Sequence, residues 1–146
     1  HPLLRDHGTH VELLAFPMAI EVTERTVGFF PELRQAVPGM VRQGVCKKHF
    51  HAADLYPESI GGSCAPAMML FPHVVDMPNS CLEPLSKSRA LEAIMPQAAF
   101  VYDRDIARRE FQSLSRLVQQ VDCYSLHFGR DVLDLPKLIT PLLERS

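Results

Sequence analysis

Between Asp103 and Val121 the apolar residues return every three or four positions: Ile106, Ala107, Phe111, Leu114, Leu117, Val118 and Val121. A strand cannot use that spacing, because its side chains alternate from face to face. A helix gathers all of them into one stripe. Asp103 stands where an N-cap belongs, and Arg108, Arg109, Gln112, Ser115, Arg116 and Gln119 fill the opposite face. A short apolar run lies on each side of the helix, at residues 97–102 and 123–128. Strand, helix and strand with tight connections make a βαβ unit, whose strands run parallel through a right-handed crossover. The expected fold is α/β: a single-domain mixed sheet with a C-terminal βαβ unit packed by helices.

The flanking segments are read the same way. Ser80 and Glu83 have capping-box spacing, with Leu85, Ala90, Leu91 and Ile94 as the apolar face of a helix that Pro96 closes. Gly129 turns the chain, and Asp134 caps a last helix with Pro136 at its first position. Its apolar side is Leu138, Ile139, Leu142 and Leu143, and Pro141 predicts a kink. Residues 1–80 hold most of the 12 prolines, so elements there are short. Strands are expected at 11–16 and 19–23, parted by Pro17, and a helix from 31 that Pro38 and Gly39 stop. Residues 41–50 read as one strand, and the apolar run 67–75 is interrupted by Pro72.

At 146 residues the chain fits one domain, residues 1–146, that can bury a core without staples. Hydrophobic residues at 47% and charged residues at 22% exclude a largely disordered chain. With 15 basic and 17 acidic residues there is no bulk charge for gripping nucleic acid. No run of 18 apolar residues exists, so no membrane span is expected. The N-terminus lacks the layout of a signal peptide, although a start at His1 leaves room for a removed leader; the expected location is cytoplasmic. Cys46, Cys64, Cys81 and Cys123 contain no C-x-x-C pair. They allow two disulfides in three connectivities, with free thiols the simpler reading.

Reactive side chains concentrate in one segment: Cys46, Lys47, Lys48, His49, Phe50, His51 and Asp54. On a strand, His49 and His51 share a face with their Cα atoms about 7 Å apart. His49, His51 and Asp54 are therefore the candidate ligands for zinc or another divalent cation. Cys46 faces the other way on a regular strand, and Lys47 and Lys48 oppose a cation. The spacing His49-Phe50-His51, then seven residues, then Ser59 resembles in part the signature of the JAMM/MPN metalloproteases. That family places a metal-binding aspartate where this chain has Gly62, and a proline where it has Ala52. With that aspartate missing, the resemblance implies weakened or lost metal binding.

Three further places carry chemistry. The run Asp6, His7, Gly8, Thr9, His10, Val11 resembles the histidine motif of subtilisin-like proteases, in which His7 would match the general base. The family's serine segment is absent, and the structural alternative is a turn. The Gly61-Gly62-Ser63-Cys64 stretch offers Cys64 as a thiol nucleophile, with His73 the nearest base. The carboxyl ends of the two βαβ strands would bring together Tyr102, Asp103, Arg104, His127, Gly129, Arg130 and Asp131. There Asp103 and His127 are candidate catalytic groups and the arginines would draw an anionic or other small-molecule ligand. The expected function is a small hydrolase-like enzyme with a histidine-based site. The alternatives are a non-catalytic binding or regulatory domain and a thiol enzyme using Cys64.

Overall fold

The helix with the strongest pattern forms where the spacing puts it. In the computed structural model, which describes residues 3–16, 18–42, 44–59, 61–97 and 103–144, it spans Arg104–Gln120. Asp103 caps it, accepting from the backbone N–H groups of Asp105 at 2.9 Å and Ile106 at 3.0 Å. The described strands are β1 (Leu3–Asp6), β2 (Val11–Leu14), β3 (Ile20–Thr23), β4 (Val37–Arg42), β5 (Val45–Phe50), β6 (Ser63–Cys64), β7 (Met68–Val74), β8 (Cys81–Pro84) and β9 (Asp122–Phe128). The helices are α1 (Glu24–Phe29), α2 (Ala52–Leu55), α3 (Lys87–Ile94), α4 (Arg104–Gln120) and α5 (Leu135–Leu143). The fold is mixed α/β, with three small sheets, and the chain divides into two compact units, His1–Leu14 with Cys64–Ser146 and Ala15–Ser63.

The larger unit is built on the sheet β7-β9-β8. Strand β9 runs parallel to β7, with Met69 opposite Cys123 and His73 opposite His127, and antiparallel to β8, with Cys81 opposite His127. The mixed sheet is present, and the parallel partner of β9 is β7; the expected strand at 97–102 lies outside the described residues beyond Gln97, which ends a 3₁₀ turn. Pro72 sits inside β7 because β7 is an edge strand, where a missing N–H costs no ladder bond on the open side. Helices α3 and α4 cover the sheet, and the buried core is Val11, Ala90, Leu117, Val118, Val121 and Cys123. Met69, Phe71, Leu85, Leu91 and Ile94 pack around it. Only the C-terminal half of the α4 stripe is buried; Ile106 and Phe111 are exposed.

Two expectations here need correction. Residues 81–84 form β8, so the helix starts later: Ser86 is its cap, accepting from Arg89 N at 3.4 Å. Ser80 instead meets Asp131, which accepts from its N–H at 2.8 Å and from its Oγ at 2.6 Å. The expected capping box is replaced by a plain serine cap, with Arg89 rather than a glutamate three residues on, because pairing with β9 claims the backbone of 81–84. The last helix follows the sequence: Pro136 lies in the first turn of α5, Pro141 inside it, and Asp134 precedes it without a side-chain cap bond.

In the Ala15–Ser63 unit, β5 is the central strand of an antiparallel sheet ordered β3-β5-β4. The expected single strand at 41–50 is a hairpin, turned at Gly44, whose φ of +76° only glycine adopts freely. Pro38 and Gly39 do not stop a helix but lie in β4, and residues Pro31–Gln35 make a 3₁₀ turn. The register slips between Pro38 and Val41: β4 advances three residues while β5 retreats two, which is a β-bulge. Thr23 caps α1, accepting from Thr26 N at 3.2 Å. Among the described residues of this unit the buried apolar ones are Val27, Leu33 and Ala36.

Candidate functional site

The bulge shapes a cleft around His49. On the middle strand of its sheet, His49 stands opposite Glu21 of β3 on one side and Val37 of β4 on the other. It borders two adjoining cavities. One, of about 590 Å³, is lined by Met18, Ala19, Glu21, Pro38, Gly39 and His49. The other, of about 290 Å³, is lined by Gln35, Val37, His49, Phe50, His51, Asp54 and Leu55. Volumes of this size admit a small organic ligand. His51 lies one residue past the end of β5 and serves as the N-cap position of α2, and Asp54 sits in the first turn of α2, its N–H donating to His51 O at 3.0 Å. The strand-then-helix break therefore brings His49, His51 and Asp54 to one cavity by a route other than the regular strand expected.

Gly39 is needed for this approach. A Cβ there would stand 2.9 Å from the carbonyl oxygen of Lys47 and 3.3 Å from Nδ1 of His49. The two lysines thought to oppose a cation are both neutralised. Lys47 Nζ donates to Glu21 Oε2 at 3.1 Å, and Lys48 Nζ lies 3.0 Å from Glu24 Oε2. Cys46, on the same strand, is exposed and lines neither cavity.

Among the described residues, one set of three His, Cys, Asp or Glu side chains has its ligand atoms all within 4.8 Å of one another, and it is His7, His10 and Glu12 rather than His49, His51 and Asp54. His7 and His10 stand in the turn joining β1 and β2, and Glu12 is the second residue of β2. The imidazoles stack with centroids 4.6 Å apart and planes at 11°, and His7 Nε2 lies 3.2 Å from Glu12 Oε2. The likeness to a protease histidine motif resolves as a hairpin turn, its Gly8 at φ +83°. The readable signal for the set was the H-x-x-H-x-E spacing, which becomes informative only once the hairpin folds Glu12 back beside His7.

The remaining candidates separate. Asp103 spends its carboxylate on the start of α4. His127 has His73 beside it, ring centroids 6.1 Å apart, and Glu83 Oε2 at 3.5 Å from its Nε2. Arg130 is paired with Asp76. Asp131 is tied to Ser80, and the hydrogen bonds from the Ser80 hydroxyl and N–H hold its carboxyl below the ordinary value. These hydrogen bonds explain Asp103 and Asp131 as structural groups. Tyr102 lies outside the described residues. All four cysteines are unpaired; Cys64 is exposed, and only Cys123 is buried, where desolvation pushes its thiol pKa up. No helix among the described residues is long and apolar enough to cross a membrane. Against family models, curated proteins and solved structures, the chain finds no match.

Proposed function

We propose that the chain is a small hydrolase-like enzyme whose chemistry takes place in the cleft of the Ala15–Ser63 unit. One observation carries the reading: His49 and His51 border a single cavity together with Asp54. Imidazole is the side chain best suited to moving protons near neutral pH. His49, which borders both cavities, would act on a substrate held in the larger one, while His51 and Asp54 line the smaller one with it. The larger cavity combines the apolar Met18, Ala19 and Pro38 with the carboxylate of Glu21, which suits a small, partly apolar substrate. In the metal-assisted form of this reading, His49, His51 and Asp54 would hold zinc or another divalent cation, which would supply water activation.

The second reading is a non-catalytic binding domain that uses the same cleft. It is favoured by the wide spacing of the three groups, which do not form a ready ligand set. A panel of chromogenic esters and phosphoesters, assayed with purified protein and with the double variant His49→Ala/His51→Ala, separates the two. Hydrolysis that falls at least about a hundredfold in the folded double variant supports the enzyme. Hydrolysis equal in both proteins, or none with any substrate, overturns it and leaves the binding domain. Metal content measured on the same samples decides between the metal-free and metal-assisted forms.

A further inference from the structure

We propose that the turn between β1 and β2 is a separate site for a divalent transition-metal ion, held by His7, His10 and Glu12. It lies wholly within the larger unit and is independent of the cleft at His49. Two imidazoles and one carboxylate are a ligand set that zinc and its neighbours in the first transition row accept, leaving a fourth position for water. Magnesium and calcium prefer all-oxygen shells, so they compete poorly here.

The second observation is that the turn is built to hold its shape before any ion arrives. Asp6 Oδ1 accepts from Gly8 N at 2.8 Å, and His7 N donates to His10 O at 2.9 Å, so the tip is closed from inside. The same Asp6 carboxylate is then anchored to α4 through Arg116 and through Ser113 Oγ at 2.8 Å. One strand residue further on, Val11 is clamped by the side-chain amide of Gln120: its N–H donates to Oε1 at 2.7 Å and its C=O accepts from Nε2 at 2.8 Å. Val11 itself is fully buried. Exposed histidines thus stand on a frame pinned to the core helix, which lowers the entropy lost when they close on an ion.

Proton positions fit the same role. Thr9 Oγ1 lies 3.2 Å from His10 Nδ1, so His10 can keep its proton or its hydroxyl partner on Nδ1 and present Nε2. His7 and Glu12 now share a hydrogen bond through Nε2 and Oε2, and the ion would replace that proton. Arg5 Nη1 lies 3.9 Å from Glu12 Oε2 and is a cation that opposes binding. Asp6 is a positioning residue: its carboxylate accepts from the Gly8 N–H and the Ser113 hydroxyl and pairs with Arg116, which fixes the turn on α4.

The test is a calorimetric titration of the untagged full chain with zinc chloride, repeated with magnesium chloride. Visible absorption on adding cobalt(II) reports tetrahedral nitrogen–oxygen coordination. The expected result is saturable zinc binding that survives in His49→Ala/His51→Ala. It should weaken at least about tenfold in His7→Ala/His10→Ala and in Glu12→Gln. Asp6→Asn, which leaves all three ligands in place, should weaken it by about tenfold and blur the cobalt spectrum. The altered side chains are on the surface, and circular dichroism confirms folding; Glu12→Gln keeps the test intact if the double variant does not fold. No zinc binding up to about 1 mM, or equal binding in wild type and Glu12→Gln, overturns the proposal.

Discussion

The two units handle their apolar residues in opposite ways. In the larger one, α4 lays Leu114, Leu117 and Val118 against the sheet and the hairpin, and a continuous core forms around Val11 and Val121. Among the described residues of the Ala15–Ser63 unit only Val27, Leu33 and Ala36 are buried apolar residues, while Phe16, Met18, Ile20, Val41 and Val45 remain exposed. The first unit invests its chain in a long amphipathic helix and gains close packing. The second, cut short by prolines, gains a bulged sheet with open cavities. Close packing and open cavities are thus located in different parts of one chain. The histidines of the cleft are positioned by backbone irregularity, whereas those of the β1–β2 turn are positioned by side chains of a core helix.

The largest effect should come from the core. Leu117 is 3% exposed, and Leu117→Ala should cost about 3 kcal/mol in urea unfolding followed by circular dichroism. For a like-for-like deletion, Val118→Ala should cost about 2.5 kcal/mol and Val27→Ala, in the other unit, about 1.5 kcal/mol. Equal costs would break the contrast. Gly39→Ala should destabilise by about 2 kcal/mol, since the new methyl group meets the Lys47 carbonyl oxygen. It should also shift the His49 ring signals in an NMR spectrum, and unchanged signals would remove the bulge from the account of the cleft. Asp103→Ala should cost about 1 kcal/mol through loss of the α4 cap, with no effect on hydrolysis; a loss of activity would return Asp103 to the catalytic set.

The gentlest test is acid. Asp6 and Asp131 both have carboxyl pKa values lowered in the folded chain, by Gly8 and Ser113 for the first and by Ser80 for the second. The unfolded chain therefore takes up these protons more readily. The stabilisation is full above the ordinary carboxylate value, about 3.9, and is lost as pH falls through the lowered folded values. Unfolding midpoints measured between neutral and acid pH should drop more steeply for the wild type than for Asp6→Asn/Asp131→Asn. Parallel curves would show that other carboxylates govern acid unfolding.

Helix α4, its cap and the final helix were legible because each depends on neighbours three or four residues away, and local spacing encodes such contacts directly. Strands β2, β3, β7 and β9 were legible as apolar runs, but their partners were not. Strand pairing joins distant segments, and nothing in the run 123–128 names β7 rather than 97–102 as its parallel neighbour. The same limit moved the helix start from Ser80 to Ser86, since both serines have the right chemistry and pairing with β9 chose between them. It also concealed the hairpin at Gly44, where one glycine turns the chain inside a segment that reads as one strand.

For the sites, residue type was legible and company was not. His49, His51 and Asp54 were marked as potential ligands by proximity in sequence, and they do share a cavity. Yet the tighter set, His7, His10 and Glu12, formed where a hairpin reverses the chain and brings a residue five positions away within hydrogen-bond reach. Composition and periodicity by themselves determined the α/β class, the core helix and the stock of imidazoles and carboxylates. Which of these groups face one another was decided only by tertiary structure, because ligand geometry depends on separations of a few ångströms that turns, bulges and strand pairing set.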